Sequence, residues 1–425
     1  MNAENIHRAV RAAIRPLALA GSGALLVVST GCGGGDNSSS GNMFRAFPVP
    51  TSVTIADVNG DGAPDIVVAT TVAVNNSNNS GYASVIIGHP GTQQVTYSSG
   101  VHYNITGTDP SSIAAGDLTG SGKVDLVIAN FSSGSVSVFL HDPASAGTYL
   151  AGTDVKTGGA PNQVVIGDLN GDGKPDLALA DFSTTGNVII DLQDPANPGH
   201  FLAATTLALG NPITSVQIGD LNGDGKPDIV AANFDTSGNN GRVSIYYQDP
   251  TNPGSFPQHV NFPAGAQPQS VKIADVNGDG LPDLVVANQG PGSDGVGTVG
   301  VSVLIQDPAN PGTFLPPVTY ATPLGAVDVA VADLNGDGKP DLVVANLTPT
   351  PTGSISVLLQ DPSNPGVFTG AATYLALGQP LGVAIADLNN DGKPDIAVAD
   401  GNSVGVLTQN QVSAGAFGPE IEIGD

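Results

Sequence analysis

The sequence has too few of several residue types to support some common protein classes. Among its 425 residues there is one cysteine, so no disulfide can form within the chain, and there is no tryptophan. Only 12 residues are Lys or Arg against 38 Asp or Glu, which gives a formal charge of −26. Because no basic stripe is available to neutralise phosphates, we expect no nucleic-acid partner.

Long hydrophobic runs are also scarce, and the one near the N-terminus is too short to cross a membrane. It extends over Leu17–Val28 and is preceded by Arg8, Arg11 and Arg15. A basic segment followed by about a dozen apolar residues is typical of a secretory signal. We therefore predict a signal peptide over residues 1–31 and export of the mature chain.

The single cysteine, Cys32, follows this segment directly and opens a Gly/Ser-rich tether over residues 32–43. A small residue before one cysteine resembles the cleavage site of bacterial lipoproteins, in which that cysteine carries the lipid. Ser29 departs from the pattern, where an aliphatic residue is usual, and an ordinary cleaved signal with a spare cysteine is the alternative. The resemblance implies an outer-membrane or cell-surface lipoprotein that contacts the membrane only through its lipid. A periplasmic or secreted protein is the alternative location.

Glycine and proline are abundant, at 57 and 33 residues, and one acidic motif recurs along the chain. Their density favours many short strands over long helices. The motif Asp57-Val-Asn-Gly-Asp-Gly-Ala-Pro-Asp65 has five further intact copies, and a degenerate copy begins at Asp117. The intact copies lie at residues 57–65, 168–176, 220–228, 275–283, 333–341 and 387–395. Repeats at a period of tens of residues indicate one array rather than several ordinary domains.

Each repeat has the same order of elements. It begins with a short apolar run, followed by the Asp loop, an unbroken apolar run such as Leu342–Ala345, an alternating run and a last segment. This order predicts four strands in each repeat. The unbroken second strand indicates burial on both faces, which face-to-face stacking of sheets provides. We therefore predict an all-β fold, a seven-bladed β-propeller of four-stranded antiparallel blades; an open solenoid would need polar caps that we do not find. The propeller is assigned to residues 44–425, with approximate blades at residues 51–104, 111–155, 162–208, 213–263, 269–321, 326–375 and 381–425.

The Asp loop has the chemistry of a site for a hard cation. Side-chain oxygens stand at positions 1, 3, 5 and 9, a backbone carbonyl is available at position 7, and Gly at position 6 permits a sharp bend. An all-oxygen set of six or seven ligands selects Ca²⁺ over Zn²⁺. We predict about six structural Ca²⁺ ions, with the ligands Asp57, Asn59, Asp61, Asp65, Asp168, Asn170, Asp172, Asp176, Asp220, Asn222, Asp224, Asp228, Asp275, Asn277, Asp279, Asp283, Asp333, Asn335, Asp337, Asp341, Asp387, Asn389, Asp391 and Asp395. Repeat 2 has Thr119 and Ser121 at positions 3 and 5, so Asp117 and Asp125 are expected to form only a weak, degenerate site.

Two other interpretations of the loop fit the sequence less well. An EF-hand needs a bidentate Glu at position 12, where the intact copies carry apolar residues such as Val68 and Leu179. Loops that are only Asx-rich turns would hold carboxylates about 5 Å apart, where they repel by roughly 3 kcal/mol at an effective dielectric of about 20. A bound cation removes that cost.

These repeats resemble the FG-GAP or VCBS repeats of integrin α-subunit propellers and of many bacterial surface proteins. The resemblance rests on six intact copies of the motif at blade spacing and covers almost the whole mature chain. It implies a propeller that holds Ca²⁺ in the loop between the first and second strands of each blade.

For the function, the sequence contains no nucleophile–His–acid signature, phosphate loop or His/Cys metal set. We predict a monomeric, non-enzymatic surface module that binds a carbohydrate or a protein. The variable loops between the second and third strands are its candidate binding face: Thr71–Gly81, Phe234–Gly241, Gln289–Thr298 and Leu347–Gly353.

The alternative function is that of an enzyme similar to polysaccharide lyases. Such an enzyme needs basic side chains clustered in one cleft. The residues that such a cluster would draw on are His102, His141, His200, His259, Arg242 and Lys156.

Overall fold

The computed structural model describes residues 48–72, 79–89, 96–234, 241–290, 299–323, 325–348, 352–401, 403–410 and 412–423. The predicted signal peptide, Cys32 and the tether lie outside these residues. In the described part of the chain there are only strands, turns and loops, and no helix has the length and apolar character needed to span a membrane.

The strands form seven four-stranded antiparallel sheets and one short hairpin. Blade 1 contains β1 (Pro48–Ala56), β2 (Asp65–Val72), β3 (Ser80–Ile86), the hairpin of β4 (Gly88–His89) and β5 (Thr96–Tyr97), and β6 (Val101–Asn104). Blade 2 contains β7 (Pro110–Gly116), β8 (Asp125–Asn130), β9 (Ser135–Phe139) and β10 (Thr153–Lys156). Blade 3 contains β11 (Pro161–Gly167), β12 (Asp176–Asp181), β13 (Asn187–Asp191) and β14 (Thr205–Ala208).

The remaining four blades repeat this order. Blade 4 contains β15 (Ile213–Gly219), β16 (Asp228–Asn233), β17 (Gly241–Tyr246) and β18 (His259–Gly265). Blade 5 contains β19 (Pro268–Ala274), β20 (Asp283–Asn288), β21 (Gly300–Leu304) and β22 (Val318–Ala321). Blade 6 contains β23 (Ala326–Ala332), β24 (Asp341–Asn346), β25 (Ser354–Leu358) and β26 (Ala372–Leu375). Blade 7 contains β27 (Pro380–Ala386), β28 (Asp395–Asp400), β29 (Ser403–Leu407) and β30 (Ile421–Ile423).

The seven blades close into a ring around one axis. In every blade the chain passes from an inner strand through the second and third strands to an outer strand. Each inner strand contacts the inner strands of both neighbouring blades, and β1 contacts β27, so the first and last blades meet. The predicted all-β, seven-bladed propeller is therefore confirmed.

The hydrophobic core lies between the blades. Second strands such as β12 and β20 are buried along their whole length because neighbouring blades cover both faces. In the described part of the chain, seven apolar clusters each combine two blades; one contains Val127 and Ala129 of blade 2 with Leu177 and Leu179 of blade 3. A further cluster of three phenylalanines joins blades 2, 3 and 4. A fully buried Val or Leu contributes about 1.5–3 kcal/mol, so ring closure supplies stability that a single blade lacks.

One core position departs from this pattern in blade 3. The third strand ends in a hydrophobic residue in the other six blades, at Ile86, Phe139, Tyr246, Leu304, Leu358 and Leu407. In blade 3 this residue is Asp191, which pairs with Leu177 and is 1% exposed. Neither of its carboxylate oxygens has a hydrogen-bond partner among the described residues. Burial raises the pKa of Asp191 to about 7, so its ionisation is opposed by the apolar surroundings.

We expect Asp191→Leu to stabilise the propeller above neutral pH. The folded chain keeps this proton up to about pH 7, whereas the unfolded chain releases it near the ordinary pKa of 3.8. Retention of this proton in the folded state therefore contributes to stability fully below about pH 4, and the contribution is lost as the pH rises through 7. Thermal unfolding should show a higher melting temperature for the leucine variant at pH 8 and a weaker pH dependence between 5 and 8.

The control for this experiment is Asp194→Asn, which changes a partly exposed acid in the turn that follows. If the two variants shift the melting temperature equally, or if Asp191→Leu destabilises the protein at pH 8, ionisation of the buried carboxyl does not lower the stability of the propeller.

Candidate metal centres on one rim of the propeller

The seven Asp loops occupy equivalent places in the ring. Each loop joins the inner strand to the second strand of its blade, and the Asp at position 9 is the first residue of the second strand. Because the blades share one topology and one direction around the axis, all seven loops lie on the same rim.

In an intact loop, the acid at position 1 binds backbone amides of the loop itself. In blade 3, Oδ1 of Asp168 accepts the N–H of Gly171 at 2.7 Å, and its Oδ2 accepts that of Gly173 at 2.8 Å. The side-chain oxygen of Asn170 accepts the N–H of Asp172 at 2.9 Å. Gly171 and Gly173 have φ values of 75° and 80°, a left-handed conformation that favours glycine at both positions. The bond from the amide of position 6 to the acid at position 1 recurs in every intact loop.

The acid at position 9 is buried and joins two parts of its blade. In blade 3, Oδ2 of Asp176 accepts the N–H of Leu169 at 2.8 Å, and its Oδ1 accepts that of Gln193 at 2.7 Å. Burial raises the pKa of Asp176 to about 6; the two amides oppose the rise, and the charges of Asp172 and Asp168 add to it. The two hydrogen bonds thus connect the loop to Gln193, which follows the third strand.

The donor set of an intact loop fits a hard divalent cation. It consists of carboxylate and amide oxygens, and a carboxylate oxygen that accepts one N–H keeps a further lone pair. The charge of the other two acids raises the pKa of the acid at position 9, as expected for carboxylates within electrostatic reach. Within the described ranges, no three Asp, Glu, His or Cys side chains already surround a common point. Calcium binding at these loops stays a prediction.

The degenerate loop of blade 2 shows that the position-9 contacts do not depend on a complete ligand set. Asp125 accepts the N–H of Leu118 at 2.9 Å and that of His141 at 2.7 Å, as in the intact repeats. Thr119 and Ser121 replace the amide and the carboxylate at positions 3 and 5. Position 9 thus has a structural role in all seven blades.

In five blades a glutamine after the third strand connects the Asp loop to the loop of the preceding blade. Nε2 of Gln193 donates to the carbonyl of Pro175 in its own loop at 2.8 Å and to that of Leu118 in blade 2 at 3.0 Å. The same pair of bonds is made by Gln248, Gln306, Gln360 and Gln409. From the sequence these glutamines are recognised only as part of a Pro/Gly turn. The recurrence of Gln-Asp-Pro once per blade is the signal that could have identified them.

The polar residue that ends the second strand is also structural. Its amide nitrogen donates to a serine of the third strand in four blades, in the pairs Asn130–Ser137, Asn233–Ser244, Asn288–Ser302 and Asn346–Ser356. The adjoining candidate binding loops include residues 73–78, 235–240, 291–298 and 349–351, which lie outside the described residues. A binding face there stays a prediction.

The basic residues that a lyase-like site would need are distributed over four blades. His102 lies in blade 1, His141 and Lys156 in blade 2, His200 in blade 3, and Arg242 and His259 in blade 4. Within blade 4, Arg242 pairs with Pro263 and His259 with Tyr246, so the two basic residues lie at opposite ends of one hairpin.

One Ser–His contact has the spacing of a nucleophile and a base. Oγ of Ser84 lies 2.9 Å from Nδ1 of His102, which stands opposite it on the outer strand. Ser84 is fully buried. The equivalent Ser244 and Ser302 also bond to the outer strands of their blades. The contact in blade 1 is therefore one form of a repeated structural pair.

Comparison with solved structures gives matches at low sequence identity, and the first of those below shares the fold. A candidate 6-phosphogluconolactonase from Bacteroides fragilis matches with a TM-score of 0.58 and 17% identity over 91% of this chain and 98% of its own. The exotype rhamnogalacturonan lyase YesX matches with a TM-score of 0.46 and 14% identity over 83% of this chain and 70% of its own. No curated protein sequence matches significantly.

Models of protein families match most of the chain. The FG-GAP repeat model matches residues 49–86. The FG-GAP-like repeat model matches residues 117–179, 174–231, 220–286, 282–344 and 341–398. These matches include all seven Asp loops, and the chain therefore belongs to the FG-GAP repeat family.

Proposed function

We propose that the protein is an exported, calcium-stabilised propeller that binds a carbohydrate or protein partner without catalysing a reaction. The observation that supports this best is the repetition of one all-oxygen loop on a single rim, tied from blade to blade by the glutamine bonds. The dispersal of the basic side chains supports binding over lyase-like chemistry. The opposite rim is then free for a partner.

In this proposal the roles within a loop are divided. Positions 1, 3 and 5, represented by Asp168, Asn170 and Asp172, are half-buried or exposed and provide most of the oxygen shell. Position 9, represented by Asp176, holds the hairpin and contributes its remaining lone pairs. The bound cation offsets the repulsion among three carboxylates in each of the six intact loops.

Removal of calcium should lower the melting temperature sharply. Binding to the folded state alone contributes about 2.7 kcal/mol per site at a hundredfold excess over Kd, so six sites give an upper bound of roughly 16 kcal/mol. Thermal unfolding in millimolar Ca²⁺ and in a chelator should differ by roughly 10 °C or more. Equal melting temperatures, together with no heat of Ca²⁺ binding in titration calorimetry, would show that the loops are turns only.

Repeat 2 provides the matched control. Asp168→Ala with Asp172→Ala should remove one site and a fraction of the calcium-dependent shift. Asp117→Ala, at the same position of the degenerate loop, should leave that shift unchanged even if it lowers stability in the chelator. Equal loss of the shift in both variants would contradict the division between intact and degenerate repeats.

The proposal of partner binding can be tested directly with the purified mature chain. A labelled protein should bind a restricted set of structures on a glycan array or a panel of extracellular matrix proteins, in the presence of Ca²⁺. Substitutions in the loops between the second and third strands should abolish binding, whereas Lys174→Ala on the Asp rim should not. Turnover of any bound glycan by the protein would contradict a non-enzymatic role.

We also propose that the N-terminal segment exports the chain and anchors it through Cys32. Replacement of Cys32 by Ala should then move the protein from the membrane fraction to the soluble fraction of the expressing cells. Unchanged membrane association of the Cys32→Ala variant would contradict lipid attachment at this residue.

A further inference from the structure

Among the polar contacts that cross from one blade to the next, three kinds recur near the inner strands and the Asp loops, and their pattern around the ring is uneven. The first is made by the glutamine that follows the third strand. This contact is present at five successive interfaces, from that of blades 2 and 3 to that of blades 6 and 7.

The second contact starts from the bulge near the beginning of each inner strand. The bulge residue donates to a carbonyl at the start of the next inner strand. Thr51 donates to Pro110 at 3.0 Å, Ser111 to Pro161 at 2.9 Å and Thr214 to Pro268 at 2.8 Å. Asn162 makes a similar bond to the carbonyl of Thr214 at 2.6 Å.

The third contact comes from the residue after the bulge, whose side-chain oxygen accepts an inner-strand N–H of the next blade. These donor–acceptor pairs are Ile113 to Ser52, Val164 to Ser112, Val216 to Gln163, Val271 to Ser215 and Val383 to Asp328, at 2.7–3.4 Å. Between blades 5 and 6, Oγ of Ser270 instead donates to Asp328 at 2.8 Å. Six of the seven interfaces therefore have a side-chain bond at this place.

At the interface of blades 7 and 1, all three positions are occupied by residues that cannot make the contact. The glutamine position is Gly88, the bulge residue is Leu381 and the residue after the bulge is Gly382. Every other interface has at least one of the three contacts. The bonds are missing because Gly88, Leu381 and Gly382 have no side-chain donor or acceptor, and not because a side chain adopts another rotamer.

Among the described residues, an apolar cluster joins the two blades at this interface. Val53, Ile66 and Val68 of blade 1 pack with Leu388 and Ala397 of blade 7. Burial of apolar surface is strong but non-directional, so it does not fix one blade against the next as hydrogen bonds do.

A buried hydroxyl weakens the same interface. Tyr97 packs against this cluster, and its hydroxyl has no hydrogen-bond partner within the part of the chain that the structure describes. The cluster contains residues of both blades, so the ring lies at their interface. A buried hydroxyl without a hydrogen-bond partner opposes burial of the ring at this interface.

We propose that the interface of blades 7 and 1 is a built-in opening point, at which the ring separates before any other blade interface. Opening there exposes the inner strands β1 and β27 while the other six interfaces stay closed. It is a sub-global motion, distinct from unfolding of the whole propeller.

Hydrogen exchange of the full mature chain in Ca²⁺, read by mass spectrometry, tests the proposal. Peptides from β1 and β27 should exchange at least about tenfold faster than peptides from β15 and β19, the factor expected for one or two missing hydrogen bonds. Equal protection of the two interfaces would overturn the proposal.

Gly382→Ser gives a direct test, because it restores the oxygen that other blades have. A Cβ at Gly382 would approach no atom closer than 3.7 Å, and its backbone is not left-handed. The serine should accept the N–H of Val53 and slow exchange in β1 about fivefold. By contrast, a Cβ at Gly88 would clash with the backbone carbonyl of Pro64, so that position does not admit a side chain.

Two matched variants separate this bond from general effects on stability. Gly382→Ala adds the Cβ without the oxygen and should leave the exchange of β1 close to that of the wild type. Ser215→Gly removes the same contact between blades 4 and 5 and should accelerate exchange in the peptide that contains Val271. If serine and alanine at position 382 act alike, the missing hydrogen bond does not determine where the ring opens.

Discussion

The buried carboxylate at position 9 of each Asp loop is the interaction on which the rest of the propeller depends. In blade 3, Asp176 starts the second strand and accepts one amide from its loop and one from Gln193. That glutamine then reaches a carbonyl of the preceding loop. A charge that would be costly to bury alone is satisfied by backbone donors, and it thereby links loop, blade and neighbouring blade.

This linkage explains how a cation bound in an Asp loop would stabilise the interface between two blades as well as the loop itself. Ordering of the loop fixes the carbonyls to which the glutamine side chains bind. The effect passes along the interfaces that have a glutamine, and it ends where Gly88 replaces it. In blade 2, His141 occupies the same position, and its Nε2 is buried without a hydrogen-bond partner among the described residues. Seven repeats of one topology therefore form a ring whose interfaces are not equivalent.

The fold could be predicted from the sequence because its determinants are local and repeated. The motif from Asp57 to Asp65, the apolar run after it and the Gly-rich turns each specify a strand or a hairpin within about ten residues. The glutamine contacts could not be predicted in the same way, because their acceptors are carbonyls of another blade. Asp191 was missed because its place in the core becomes clear only when the ends of the seven third strands are compared.

The residue types of the candidate metal site could be predicted from the sequence, but the contacts that these residues make could not. Oxygen side chains at positions 1, 3, 5 and 9 are evident from the spacing, and the structure places them in one loop in each blade. The second use of position 9, as a structural acceptor, is not evident from the spacing, because the partners of Asp125 and Asp176 are backbone amides, which no residue type marks. The partner of the protein leaves no comparable local signal, since recognition depends on loops that vary from blade to blade.

The number of Ca²⁺ ions bound per chain tests the central claim most directly. Native mass spectrometry of the mature protein, titrated with Ca²⁺, should show binding that saturates at six ions, and at five after Asp168 and Asp172 are both replaced by Ala. Saturation at six in that variant, or no specific binding to the wild-type chain, would contradict the assignment of the intact Asp loops as calcium sites.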